Sequence, residues 1–518
     1  MVCRMITPMS YLGLLLWYFY QIMPEHVGGL IPYYMMLTFM VAEAAFFPYY
    51  LYLFIEMHDA DPKLEHFANC KRSRMKLAVT CVEALSLSAR PGSANDIAPE
   101  LYLRKVIEGW FFEHPIADIR LLNFADWCAW AFFNEHYDAM DSREQKECLK
   151  IVDYFGTKAQ WRFEAGKNEN LRPARINLDP MFVTQRPFMF YASVGLINFS
   201  AHLVLNYLGF KQQKKYSCSG QNLYYRPATV SKKNMKSHNS NGGGQDQDQN
   251  DYSAPAKLPI VFIHGIGIGF AHYLGLIANF PKDTDVFLLE WPHVCMQMVK
   301  EGPKIKDTVD ILCDALDDFG HPSAVFVAHS LGTTAVSWML HDPRGCTKVA
   351  RTVLLDPVTF LLCDPRVATV FVYNNPTNTV DFLMHFFLSR ELFISNALSR
   401  HFNWSHNIMF AEDFLHASNI GSSHDSDEYP LDNDFISHTV ILSSLDSIVP
   451  VGPVSRYLEA KQDEFRARGH NCFEVCMFHG NHGEMLVHPS WVNTIARKVE
   501  ERCQPRPEQY DVGLNYDD

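Results

Sequence analysis

Apolar positions along this chain change their spacing three times, and each change marks a different kind of structure. From Met5 to Ile55 the only formal charges are Glu25 and Glu43. Two apolar runs, Tyr11 to Met23 and Leu30 to Ile55, flank the polar break from Pro24 to Gly29. The second run exceeds the roughly 20 residues that a helix needs to cross a bilayer, and the first is marginal. A signal peptide would need small residues before a cleavage site, whereas the first run carries bulky Tyr and Trp, so a retained anchor fits better. Glu43 in mid-span leaves open a buried hairpin in a larger soluble domain. Residues 1–59 therefore read as a membrane anchor of one or two helices. Arg4 on one side and Lys71, Arg72, Arg74 and Lys76 on the other put both ends of a two-span anchor in the cytosol.

From 60 to 210 the pattern is helical, and Trp110, Trp127, Trp130 and Trp161 suggest a packed core without evident chemistry. Phe188 to Phe210 is a third apolar stretch. Asn198, Ser200, His202 and Asn206 interrupt it, and Lys211, Lys214 and Lys215 follow, which fits an interfacial or core helix better than a third span. Residues 211–257 begin rich in lysine and run into Ser237 to Asn250, a Ser, Asn, Gly, Gln and Asp tract too polar to bury anything; they read as a linker. Residues 504–518 read as a tail.

From Leu258 onward short apolar strands alternate with helical stretches. Leu258 to Ile263, Asp285 to Glu290, the segment before Ser330, His438 to Leu445 and Cys472 to Phe478 read as strands. Ile305, Val309, Leu312 and Leu316 recur at helical spacing before Gly320, and a further helix runs from about Thr333 to His341. Such alternation predicts right-handed crossovers and a parallel sheet with a site at the strands' carboxyl ends. Residues 358–434 break it: Phe371, Tyr373, Phe382, Phe386, Phe387, Phe393, Phe402 and Trp404 lie at helical spacing, as a cap with an apolar pocket would, and Gly421 to Asp434 reads as its exit loop.

The candidate chemistry lies at the strand ends. Phe326 to Thr333 reads Phe-Val-Ala-His-Ser-Leu-Gly-Thr, a strand entering a sharp turn with Ser330 at its apex and the small residues Ala328 and Gly332 on its flanks. Ala328 departs from the usual G-x-S-x-G by one methyl group. Upstream, His264-Gly-Ile-Gly-Ile-Gly269 is a glycine-rich loop after a strand, where the amide of Ile266 or Gly267 can meet an oxyanion, with that of Leu331 as second donor. A phosphate loop fits less well, because Phe270 occupies the position of the third glycine in G-x-G-x-x-G and no Walker-type Lys-Ser/Thr follows. Downstream, Asp446 follows one strand and His482 the last, giving the order Ser, Asp, His. His479 competes as base and Asp356, in Leu-Leu-Asp-Pro, as acid. His479, His482 and His488 could also be metal ligands, but H-E-x-x-H is missing.

Jointly these residues resemble the serine α/β-hydrolase superfamily over residues 258–503. The resemblance implies an eight-stranded, mostly parallel sheet wrapped by helices, with a cap at about 358–434. It also implies ester, thioester or amide hydrolysis, or acyl transfer, with Ser330 as nucleophile, His482 as base and Asp446 orienting it. No cofactor and no metal are expected.

Composition narrows the partners. A net charge of −13 disfavours nucleic acid. The thirteen cysteines form neither a disulfide framework nor a Cys-x-x-Cys zinc pair, which favours a reducing compartment. The expectation is a membrane-associated serine esterase acting on hydrophobic esters, its hydrolase part facing the cytosol. A non-catalytic membrane scaffold and an acyltransferase are the alternatives.

Overall fold

The structure is a computed structural model that describes residues 2–20, 27–60, 73–89, 97–217, 220–229, 257–377, 379–419 and 436–505. The polar tract at 230–256, the proposed exit loop at 421–434 and the tail beyond 505 lie outside the described residues. Eight strands form one sheet: β1 (Lys211–Gln212), β2 (Asn222–Arg226), β3 (Ile260–Ile263), β4 (Val286–Glu290), β5 (Ala324–His329), β6 (Val349–Leu355), β7 (His438–Ser443) and β8 (Phe473–Phe478). Their spatial order is β1-β2-β4-β3-β5-β6-β7-β8. β2 is antiparallel to both neighbours, and β3 to β8 are parallel. This is the α/β-hydrolase fold, with a helical insertion between β6 and β7.

Strand β3 shows why the sheet is central. Its four residues are fully buried; Ile260 and Phe262 enter the core on one face, Val261 and Ile263 that on the other. Both faces are covered by helices, so the strand is apolar throughout rather than alternating. β4 lies on one side of β3 and β5 on the other, so the winding reverses between β3 and β5. Ligands of such sheets bind outside the carboxyl ends at that switch.

Residues 211–212 and 222–226, read from their lysines as part of a linker, instead form the antiparallel side of the sheet. Leu223 is fully buried opposite Leu289, and Tyr225 packs on Phe287 and Phe319. An edge needs few apolar side chains, which is why its sequence looked soluble.

Among the described residues seven α-helices lie before the sheet: α1 (Val2–Tyr20), α2 (Leu30–His58), α3 (Arg74–Ser88), α4 (Pro99–Trp110), α5 (Leu121–Phe133), α6 (Ser142–Lys158) and α7 (Phe188–Tyr207). The tryptophans of α4 and α5 do pack together, with Trp110 against Trp127 and Trp130. Their core is continuous with one face of the sheet. The indole N–H of Trp110 donates to the Cys363 carbonyl at 3.0 Å, that of Trp404 to Ala131 at 2.9 Å, and the Arg456 side chain reaches the Ser88 carbonyl. The helices thus pack against the insertion and against the helix that follows β7.

Helices α1, α2 and α7 carry large apolar residues on their outward sides as well. α2 and α7 are long and apolar enough to cross a membrane. On α2 the buried side holds Glu43, whose carboxylate accepts from Thr7 of α1 at 2.7 Å, while Ile31, Tyr34, Met35, Val41 and Ile55 are exposed. On α7 the inward side holds Asn198 and the half-buried His202, which contacts Glu290 at 2.9 Å, while Leu196, Phe199 and Leu203 point outward. Each buried side is otherwise mainly apolar, and the apolar outward side departs from the polar outer face of a water-facing helix.

Candidate active site

At the end of β5 the chain turns so sharply that Ser330 takes φ 51°, in the left-handed region that serine rarely occupies. The strain is held by close packing. A Cβ on Gly332 would sit 2.5 Å from the carbonyl oxygens of Ile263 and His264, and one on Gly265 would sit 2.8 Å from Cβ of Ser330. Only glycine at 332 lets the new helix cross β3 at this distance. Thr333 steadies the turn from within, donating its hydroxyl to the Ser330 carbonyl at 2.6 Å.

Three side chains from three strand ends meet there. Ser330 Oγ lies 2.8 Å from Nε2 of His482, and Nδ1 of the same imidazole lies 2.6 Å from Oδ2 of Asp446. With Nδ1–H donating to the carboxylate, Nε2 is left to accept the serine proton. The other carboxylate oxygen of Asp446 accepts the backbone N–H of Ile448 and Val449, at 2.7 and 2.9 Å, which fixes its plane. Burial lowers the affinity of His482 for a proton, but the charges of Asp446 and Asp356 outweigh it and the net pKa is raised above the ordinary histidine value.

The two competitors fall elsewhere. His479 is exposed and meets Ser444 Oγ at 3.1 Å. Asp356 stands close by but contacts the backbone: it accepts Ser443 N–H at 2.7 Å, Ser443 O–H at 2.8 Å and Gly483 N–H at 2.8 Å. Three donors meet its carboxyl group, while burial and the neighbouring Asp446 push its pKa up. Through Ser443 and Gly483 it ties the loop of His482 to the end of β7.

Of the two candidate amides in the glycine loop, that of Gly267 donates to the Val294 carbonyl at 3.1 Å. Ile266 is the one that borders the cavity with Ser330, Leu331 and His482. Leu331 lies in the first turn of the helix that Ser330 opens, where backbone N–H groups have no partner within the helix.

A buried scaffold behind this loop was not visible in the sequence. The Gly265 N–H donates to Tyr273 Oη at 2.8 Å, and that hydroxyl donates to Nδ1 of His329 at 2.7 Å. His264 accepts the Trp291 N–H at Nε2 and donates from Nδ1 to the Gly265 carbonyl, so its neutral tautomer is fixed. Burial holds the pKa of both histidines down, that of His329 well below the usual range. His329 precedes Ser330 in the motif, but Tyr273 lies 56 residues away with no signal to link them.

Above Ser330 opens an apolar cavity of about 100 Å³. Its cap side is made by Phe371, Leu388 and Leu398, each in a wide π-type turn, at Thr369–Tyr373, His385–Ser389 and Ala397–His401. Its far side is Trp110 and Trp130. Helices α4 and α5, which seemed chemically silent, therefore wall the pocket. Among the described residues the one convergence of carboxylates with an imidazole is Asp356, Asp446 and His482. Both nitrogens of that ring are engaged in hydrogen bonds, with Ser330 and Asp446.

No protein-family model and no curated protein matches the chain. Among solved structures it is similar to a bacterial membrane phospholipase A, at 11% identity over 60% of this chain and 93% of that one, with a TM-score of 0.34. It is also similar to naproxen esterase (carboxylesterase NP) from Bacillus subtilis, at 14% over 59% and 97%, with a TM-score of 0.34. An esterase from Pyrococcus furiosus gives 12% over 58% and 94%, with a TM-score of 0.34. Likenesses this distant say nothing of substrate or mechanism.

Proposed function

We propose that this chain is a membrane-associated serine hydrolase that cleaves carboxylic esters of hydrophobic acyl groups through an acyl-enzyme. The observation that carries the reading is the hydrogen-bonded series Ser330, His482, Asp446 beneath an apolar cavity. Ser330 Oγ bonds to the carbonyl carbon as its proton passes to Nε2 of His482. The carbonyl oxygen becomes an oxyanion facing the N–H groups of Ile266 and Leu331, each worth about 3 kcal/mol if it tightens in the transition state. Collapse expels the alcohol, which takes the proton from His482. Water then repeats the two steps, releasing the acid and restoring the serine. The apolar walls receive the acyl chain and keep bulk water from the intermediate.

A fluorophosphonate probe checks the nucleophile directly. Wild-type protein labels and Ser330→Ala does not; a folded wild type that resists the probe would instead favour the non-catalytic scaffold.

Support for the membrane comes from the apolar outward sides of α1, α2 and α7. At 1.5 Å per residue the 29 residues of α2 span about 44 Å, more than the roughly 30 Å of a bilayer's hydrocarbon core. Glu43 is screened by Thr7 on the partner helix, so the outer face stays apolar. With the basic residues on both flanks, the hydrolase part faces the cytosol. In membranes from expressing cells the full chain should stay in the pellet after alkaline carbonate extraction. Complete release into the supernatant would show that these helices do not cross the bilayer.

A further inference from the structure

The glycine loop that carries the Ile266 amide is held by its own continuation. After Gly269 the chain makes the short turn Ala271–Tyr273, which returns the tyrosine ring to the start of the loop. Its Oη lies 2.8 Å from the Gly265 nitrogen and 2.7 Å from Nδ1 of His329, and all three residues are buried. One hydroxyl thus accepts from the loop and donates to the residue before Ser330, which a phenol can do at once because its oxygen is both acceptor and donor. Compensating the burial of that hydroxyl would take a single partner. This one has two, and both stand next to the reacting groups.

Two further contacts carry the restraint onward. The Gly265 carbonyl accepts from Nδ1 of His264 at 2.7 Å. That carbonyl and the Ile266 N–H belong to one planar trans peptide unit, so holding the oxygen points the N–H the opposite way. Gly265 is therefore pinned at its nitrogen by Tyr273 and at its oxygen by His264. On the far side, a Cβ on Gly483 would sit 3.3 Å from Cε1 and Nε2 of His329, so the same imidazole lies against the residue after His482. His329 closes the buried strand β5, and through it the oxyanion loop, the Ser330 turn and the His482 loop share one fixed point.

We infer that Tyr273 is a positioning residue: its hydroxyl, tied to His329, holds the Ile266 amide where the oxyanion forms. The assignment rests on the hydrolase reading, and Tyr273 acts only through the loop. A well-placed oxyanion donor contributes about 10² to 10³ in kcat, and a small displacement forfeits much of that. Binding of the ground state, whose carbonyl oxygen carries little charge, depends on it far less.

Tyr273→Phe removes the oxygen and keeps the ring. In the full-length protein in detergent, kcat for an ester with a ten-carbon acyl chain should fall about 30-fold with KM within about twofold. Inhibition by two ketones separates positioning from packing. With 1,1,1-trifluoro-2-dodecanone, Ser330 Oγ bonds to the carbonyl carbon, its proton passes to Nε2 of His482, and the ketone oxygen becomes an oxyanion; 2-dodecanone has the same chain and stays a ketone. The variant should bind the first about 30-fold more weakly and the second within about twofold of wild type. Equal loss for both ketones, or no loss for either, overturns the assignment. The tether is also read from its other end. His329→Asn keeps an acceptor for the tyrosine hydroxyl and His329→Leu does not, so leucine should reproduce the selective loss and asparagine should recover at least fivefold of it. Equal affinities in these two variants overturn the link even if Tyr273→Phe does not fold. Wild type that resists both the fluorophosphonate and the trifluoroketone fails the hydrolase reading and this inference with it; wild type that reacts with both, while Tyr273→Phe binds the trifluoroketone unchanged, fails this inference alone.

Discussion

Alanine at Ser330 and alanine at His482 should each lower kcat for an ester with a ten-carbon acyl chain by about 10⁶, and the double variant should lose no more than either single one. The loss corresponds to about 8 kcal/mol of barrier at 1.36 kcal/mol per decade. It is shared because the hydroxyl and the imidazole act as one unit: at 2.8 Å apart, neither moves the proton without the other. Steady-state rates with unchanged melting temperatures would check it. His479→Ala serves as the control and should stay within about threefold, since that ring meets Ser444 outside the relay. A His482→Ala enzyme retaining a tenth of the activity would remove the imidazole from the mechanism.

Asparagine at the two neighbouring carboxylates should give two different enzymes. Asp446→Asn removes the acceptor 2.6 Å from Nδ1, so the ring is free to adopt the wrong tautomer, and kcat should fall by about 10⁴. Asp356→Asn leaves that bond intact. An amide cannot accept at both ends, so either Ser443 or Gly483 loses its partner and the loop of His482 shifts; the expected cost is at most about 10². The pH profile separates the roles further. Activity requires neutral His482, whose pKa is raised because two carboxylates stabilise its imidazolium against burial. The acid limb of kcat/KM should therefore lie above the ordinary histidine value. Removing the charge of Asp356 destabilises the imidazolium, lowers the pKa and carries activity to more acidic pH. An acid limb in Asp356→Asn unchanged from wild type would limit that residue to holding the backbone.

The motif at Ser330 was readable because the turn is local: strand, serine and small flanks lie within eight residues, and the steric demand at Gly332 comes from the chain just before the glycine loop. The order of Ser330, Asp446 and His482 was readable because each follows its own apolar strand. The choice between His479 and His482 was a matter of three residues in one loop, and only the reach of the side chains separates them. Strands β1 and β2 were missed because pairing of β1 with β2 and of β2 with β4, through backbone groups any residue carries, holds them as much as their side chains do.

Sequence by itself determined the buried strands, the turn at Ser330 and the long apolar helices, because each is written in the spacing of neighbouring residues and in what a backbone turn sterically allows. Tertiary structure decided what borders Ser330: Trp110 and Trp130 from before the sheet, Tyr273 behind the glycine loop, Asp356 beneath the His482 loop. Such contacts join positions tens to hundreds of residues apart, and nothing in local spacing encodes which distant surfaces a folded sheet brings together.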